Sequence, residues 1–584
     1  MEIHGGSNSH WLLGRSEKRI INMFKKSFVL LVFAFLTAAA FADGTNLALI
    51  PWPQKLQQMD GAFTLTPATR IYADHASLKT AKFLAERLRQ STGYPLKVHW
   101  KISSSIPDNA ILFTTKHADT KLGTEGYSLT VTTNSVVIRA PEQAGVFYGG
   151  ETLMQLFPTQ IYSTNVVTAD WQVLCVQIED WPRFAWRGQM LDCSRHFFNK
   201  NEVESLIDEM SRYKLNRFHW HLVDDDGWRL QVKQYPKLTE IGAWRTNAVL
   251  QRTHRTDKEV TAHPDWVKPS ADKFTADGRY GGFYTPKEIK EVVAYAAARH
   301  VMVVPEIEMP GHNGAVLACY PELGVTKETY QIERPGPFHV GVLDPSNPDT
   351  YVFLDTVLDE VFELFPAPYV HIGGDEVPNG AFRKSPGCVA LMEKEGFTNE
   401  FQVQSYLNKR IEKYLNAHGK NLIGWSEILK GGLTTNAIVM DWIGGGKKAA
   451  EAGHDAIMTP SSPVDYAYFD HYQSTNHLTE PHGIGSYLPL RRVYAFEPVP
   501  EGLPEDLQSH ILGPQGNLWD EYVYSFPHVQ YMIFPRACAM AEVGWSAKDS
   551  RDWDSFKDRL TTDEKRLDEL NVNYRPGMSE PMNK

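Results

Sequence analysis

The stretch RGQMLDCSRHFFNKNEVESLIDEMSRYKLNRFHWHLVDDD, residues 187–226, decides the fold. Gly188–Asp192 is a short apolar run of strand length that closes on an acid. Residues 201–213 carry apolar side chains at helical spacing, and residues 217–223 form a second strand that runs into Asp224, Asp225 and Asp226. The unit is strand, helix, strand, and the rhythm continues. Further strand candidates are 302–307, 369–373, 421–425, 438–442, 455–459 and 511–518. Helical patterns at 286–299, 348–364, 400–418 and 529–543 lie between or after them. Eight strands with interleaved helices predict a (β/α)8 barrel, an α/β fold of roughly 250 residues, here enlarged by insertions. The clearest insertions are 228–285 and 319–345. An open doubly wound sheet is the alternative, and it lacks its signature, since no G-x-G-x-x-G follows the first strand.

Upstream, residues 43–180 have a different rhythm. A helix near 77–91 ends before Thr92-Gly93, a second runs near 144–156, and strands are expected at 110–114, 127–131 and 135–140. This predicts a small α+β accessory domain ahead of the barrel, which takes 181–584 and finishes on a C-terminal helix. Residues 1–42 read as a secretory signal with an upstream extension: Lys25-Lys26, an apolar run from Phe28 broken by Thr37, then Ala40-Phe41-Ala42. The run is shorter than the roughly 20 residues of a membrane span. Met23, just before the basic pair, is a candidate start. Export to the periplasm or the extracellular space is therefore expected.

The full chain has 584 residues, with 59 Lys+Arg against 70 Asp+Glu and a formal charge of −11. Removal of 1–42 takes five basic and two acidic residues with it and leaves −14. The 42% hydrophobic and 22% charged content excludes a disordered chain, a collagen, a coiled coil and a disulfide-stapled miniprotein. The acidic balance argues against a nucleic-acid partner. Cys175, Cys193, Cys319, Cys388 and Cys538 are scattered with no CxxC and read as mostly buried thiols.

Barrel active sites sit at the C-terminal ends of the strands. In strand order, those ends carry Asp192 and Arg195; His219, His221 and Asp224 to Asp226; Glu306, Glu308 and His312; Asp375 and Glu376; Trp425; Trp442; Tyr468 and Asp470; and Trp519 and Glu521. Aromatic rings stack on the apolar faces of sugars, while carboxylates and Arg bind hydroxyls. This set suits a carbohydrate site and includes acids able to cleave a glycosidic bond.

Six blocks in order resemble family 20 glycoside hydrolases, the β-N-acetylhexosaminidases. They are RGQMLDCSRHF (187–197), FHWHLVDDDGWRL (218–230), PEIEMPGH (305–312), HIGGDEVP (371–378), IGWSEIL (423–429) and GNLWDE (516–521). EGYSLTV (125–131) and AGVFYGGETLMQLFP (144–158) are similar to that family's accessory domain. The resemblance implies exo-cleavage of terminal β-linked N-acetylglucosamine or N-acetylgalactosamine, with retention, without a cofactor or metal, on glycans or chitooligosaccharides. It implies Glu376 as general acid/base, Asp375 as the partner of the substrate acetamide and Tyr468 as a further acetamide contact. It makes Arg195, Asp470 and Glu521 hydroxyl ligands, Trp425, Trp442 and Trp519 pocket walls, and Asp224 with His312 a supporting network that raises the pKa of Glu376. One position departs from the pattern: Glu308 stands where the family usually has Asp.

Neighbouring residues on a strand point to opposite faces, so Asp375 and Glu376 are poorly placed as acid and nucleophile on one carbon. Substrate assistance, in which the acetamide oxygen is the nucleophile, removes that difficulty. Asp224 and Glu521 remain candidate nucleophiles at this level. Two other classes fit parts of the pattern: a metal-dependent amidohydrolase-type barrel using His219-x-His221, and a non-catalytic sugar-binding protein that keeps the pocket.

Overall fold

A computed structural model of the chain describes residues 47–100, 106–246, 268–328, 330–332, 341–433, 436–461, 465–475, 480–484 and 486–578. The export segment expected at 1–42 and parts of both insertions lie outside the described residues. No described helix is long and apolar enough to cross a membrane.

The first part of the described chain forms a seven-stranded mixed sheet. Its spatial order is Lys55–Thr64, Gln172–Asp180, Tyr127–Val131, Ser135–Arg139, Ala110–Thr114, Arg70–Ala73 and Val98–His99. Helices Leu78–Thr92 and Gln143–Leu156 pack with this sheet through faces of small and apolar residues. The first of them ends on Gly93 in the left-handed conformation, the usual glycine stop.

From Gly188 the chain builds a closed barrel of eight parallel strands in sequential order. They are Gly188–Asp192, Arg217–His221, Met302–Glu306, Tyr369–His371, Asn421–Trp425, Ile438–Asp441, Ala456–Met458 and Ile511–Leu518, hereafter barrel strands 1 to 8. Strand 8 closes the ring by pairing with strand 1, Leu518 opposite Leu191. Helices start where the sequence supplies caps. Asn199 with Glu202, Thr285 with Glu288 and Asn399 with Gln402 each form a reciprocal capping box. The helix predicted over 529–543 is two helices, Phe526–Ile533 and Arg536–Trp545, because Pro535 interrupts the ladder between them.

Side-chain alternation sorts the barrel strands. On strand 2, Phe218 and Trp220 face outward, with Trp220 against Tyr284 and Phe365. His219 and His221 face the axis, against His371, Trp425 and Trp519. The sheet and barrel meet over buried charge. The Asp180 carboxylate accepts from the Tyr127 hydroxyl at 2.6 Å, the Lys214 ammonium at 2.9 Å and the Trp545 indole at 2.8 Å. All five cysteines are buried thiols.

Candidate active site

Strand 4 stops at His371, two residues short of the predicted end. Gly373 (φ 65°) and Gly374 (φ 93°) then turn through the left-handed region, and Glu376 follows at φ 46°. A non-glycine residue there is a strained position of the kind that gathers at functional sites. Helix Glu400–Ala417 pins the turn, with Gln404 donating to the Gly374 carbonyl at 2.6 Å. Strand alternation therefore does not govern Asp375 and Glu376. Both converge on one edge of His312, at 3.7 Å and 3.6 Å from its Nε2. The opposite-face expectation fails because these two residues sit on a turn and not on a strand.

The other edge of His312 meets Asp225 at 3.0 Å and Asp224 at 3.4 Å. Burial alone would favour the neutral ring, but the Asp224 and Asp375 carboxylates outweigh it and hold the His312 pKa well above its ordinary value. Glu376, whose side chain is 42% exposed, is lowered first by the His312 ring, 3.6 Å away. The network thus acts opposite to the expectation that it raises Glu376, because the imidazolium beside it favours the carboxylate. Asp375 takes the upward shift. Burial pushes it to about 8 against the pull of His312, with Glu427, Glu306 and Glu376 adding to the rise.

Arg195 is buried on the strand 1 side. Its guanidinium meets Asp192 at 2.9 Å and Asp224 at 2.8 Å, lies 3.9 Å from Glu521, and covers the Trp519 ring at 5.1 Å. The salt bridge to Asp192 and a place at the pocket therefore coexist. Asp470 is buried, and among the described residues neither carboxylate oxygen has a hydrogen-bond partner. Burial pushes its pKa to about 7, while His471 pulls it down.

Rings close the space between these groups. Trp425 and Trp519 lie 5.6 Å apart, Trp442 stacks on Tyr468 at 6.3 Å, and Tyr468 is 6.5 Å from Trp519. Trp425 is only 1% exposed and gives its indole N–H to Glu306 at 2.8 Å, so it forms the floor. The structure thus brings Glu376, Asp375, Tyr468, Arg195, Trp425, Trp442, Asp470, Trp519, Glu521, Asp224 and His312 to the strand ends of one barrel.

Below the floor, the His219-x-His221 pair joins Glu306, Glu308 and His371 in clusters with the spacing of metal ligands. His219 Nδ1 lies 3.1 Å from the Gln515 side-chain nitrogen, and its Nε2 lies 2.9 Å from Glu306.

Sequence reasoning missed Glu427. It lies on the short turn Ser426–Leu429 after strand 5 and accepts the Trp442 indole N–H at 2.9 Å. Its signal was its place inside IGWSEIL, two residues after Trp425. Asp520 was also missed; buried beside Asp192, it accepts the His196 backbone N–H at 2.8 Å.

Comparison with known proteins gives consistent matches. Residues 184–548 match the model "Glycosyl hydrolase family 20, catalytic domain" and residues 46–181 match "Glycosyl hydrolase family 20, domain 2". A beta-hexosaminidase of Porphyromonas gingivalis is 39% identical over 533 residues, covering 91% of this chain; the chain spans 64% of that relative's length. A beta-hexosaminidase of Vibrio furnissii is 36% identical over 514 residues, covering 87% of this chain and 78% of the relative. Among solved structures, an exo beta-N-acetylglucosaminidase from Vibrio harveyi in complex with N-acetylglucosamine superposes with a TM-score of 0.77 at 34% identity. That match covers 91% of this chain and 78% of the other.

Proposed function

Because the chain belongs to glycosyl hydrolase family 20, we propose that it is an exo-acting β-N-acetylhexosaminidase that releases terminal β-linked N-acetylglucosamine or N-acetylgalactosamine with retention. The observation that carries this is the convergence of Asp375 and Glu376 on His312 beside a pocket of four aromatic rings. The relatives' names and the N-acetylglucosamine bound in the Vibrio harveyi structure support the same substrate class.

The terminal sugar stacks on Trp519 and Trp442, with Arg195, Asp470 and Glu521 taking its hydroxyls. Its 2-acetamido group lies towards Tyr468 and Asp375. The acetamide oxygen attacks the anomeric carbon while the bond to the leaving oxygen breaks, and Glu376 protonates that oxygen. Asp375 accepts the acetamide N–H and stabilises the positive charge of the cyclic oxazolinium. Water then attacks the same carbon, returns its proton to Glu376 and reopens the ring. Two inversions give net retention.

The proton must be in the right place first. Asp375 holds a proton more tightly than Glu376 does, and the acid step needs the reverse. An acetamide N–H directed at Asp375 favours its carboxylate. His312, 3.7 Å from one acid and 3.6 Å from the other, then passes the proton to Glu376. The export segment read at 1–42 places the reaction outside the cytoplasm, and residues 43–180 and 181–584 act as scaffold and catalytic domain.

Hydrolysis of an aryl β-N-acetylglucosaminide by Glu376→Gln tests this, with kcat expected to fall about 10²- to 10⁴-fold. Asp375→Asn should lose rate as well. An otherwise identical 2-hydroxyl glycoside should turn over very slowly, and comparable turnover would remove the acetamide from the mechanism.

A further inference from the structure

One carboxyl under the catalytic turn has no part in the chemistry above. Glu308 lies two residues beyond the end of strand 3 and is 1% exposed. Among the described residues neither of its oxygens has a hydrogen-bond partner. The carboxyl lies flush against the backbone of the turn: a Cβ placed on Gly373 would come within 1.6 Å of Glu308 Oε2. The cation nearest to it is His221, whose Nε2 is 3.5 Å away. That ring edge is already shared with Asp224 at 3.5 Å and Glu306 at 3.8 Å.

The charged groups around this pocket come from several elements, strand 1 supplying Asp192 at 3.2 Å from His221 Nδ1. Strand 2 and its extension supply His221 and Asp224, strand 3 supplies Glu306, and the following loop supplies His312. The turn supplies Asp375 and Glu376, and the segment after strand 5 supplies Glu427. Burial, then Asp375 and Glu306, push Glu308 well above the usual carboxylate range, so its carboxyl is neutral. A neutral carboxyl has one O–H to donate. Asp375 Oδ1 is buried and also has no partner among the described residues, and Asp375 is the strongest charged influence on Glu308. Asp375 stands two residues beyond Gly373, the residue the Glu308 carboxyl packs against, and two unsatisfied buried groups on one turn satisfy each other most economically as donor and acceptor.

We propose that Glu308 is a positioning residue that donates its carboxyl O–H to Asp375 Oδ1, so that the other Asp375 oxygen, beside His312, is presented to the substrate acetamide N–H. Once the Asp375 proton has passed to Glu376, the pair is a carboxyl–carboxylate dyad that shares the remaining proton, and it ceases to work when that proton is lost. The proposal rests on the role given to Asp375 above. The methylene that distinguishes Glu308 from an Asp carries its carboxyl against Gly373, at the root of the catalytic turn.

The test uses the full chain and measures kcat and KM on an aryl β-N-acetylglucosaminide across pH. Glu308→Leu removes the donor and is expected to lower kcat about 10²-fold with a smaller change in KM. Glu308→Gln restores an N–H donor, so it should recover at least about tenfold of that loss. Infrared difference spectra of wild type against Glu308→Gln at neutral pH should show one protonated-carboxyl band in the wild type alone; this needs no activity. A Gln variant as impaired as Leu or a missing band overturns the proposal. Asp375→Asn, assayed alongside, separates the two readings. Full activity there defeats the role of Asp375 itself, whereas impairment there with a non-rescuing Gln defeats only the role of Glu308.

Discussion

A single hydrogen bond sets the angle of one pocket wall. Trp442 is half-buried and lies over Tyr468, and its indole N–H is held by Glu427. Glu427→Leu should free the ring and raise KM for an aryl β-N-acetylglucosaminide about tenfold, the equivalent of one hydrogen bond of about 1.4 kcal/mol. Glu427→Gln keeps an acceptor and should stay within about twofold. Initial-rate kinetics of the two variants checks this, and an unchanged KM in Leu would mean that Trp442 is held by packing alone. At this scale the sequence was uneven. Asp375 and Glu376 were legible because they sit in a contiguous, unusual block. Glu427 sits in such a block too, but nothing in IGWSEIL says that its carboxylate reaches the Trp442 indole, 15 residues on. The direction of the Glu376 shift was misread for a further reason: which carboxylate faces the shared imidazolium is a matter of ångström-scale geometry.

The turn after strand 4 carries both of the proposed catalytic carboxyls, Asp375 and Glu376. Its two glycines occupy left-handed backbone, and Gly373 has no room for a side chain because Glu308 fills the space. Gly373→Ala should abolish activity and lower the urea midpoint, combining a conformational cost of about 1–2 kcal/mol with the clash. Removing the obstructing carboxyl should relieve part of it. The double variant Gly373→Ala/Glu308→Ala is expected to be more stable than the sum of the single effects, with a coupling of about 1–3 kcal/mol. A double-mutant cycle on urea midpoints measures it, and simple additivity would show that the backbone conformation alone forbids the side chain. Most strands were legible because each is a short apolar run ending in polar residues. The turn was not, since a period-two rule cannot foresee where strand 4 gives way to left-handed glycine. Pro535 is the converse case: its effect on the last helical pattern was readable, and apolar periodicity across it masked the break.

Across the whole molecule, buried charge is concentrated along the seam between sheet and barrel as well as in the active site. The barrel class followed from sequence because strand–helix alternation is local. The seam did not, because its partners are remote in sequence, as with Asp180 and Trp545. Glu209 belongs to this seam. It lies on helix Lys200–Arg212, is 6% exposed, and accepts from Gln530 at 2.5 Å. Burial pushes its pKa from 4.5 to about 8, with Gln530 pulling the other way. The folded state therefore keeps a proton that the unfolded chain releases. The contribution to stability is fully present below the unfolded pKa of 4.5 and is lost as pH rises through the folded value of about 8. Within that window the loss is about 1.4 kcal/mol per pH unit from this one group. Glu209→Gln has no proton to lose. Urea midpoints of wild type and variant measured from pH 5 to pH 8 should diverge, with the variant gaining relative stability at the alkaline end (about 1.4 kcal/mol per unit). Parallel curves would show that Glu209 is ionised in the folded protein and that the seam holds it as an anion.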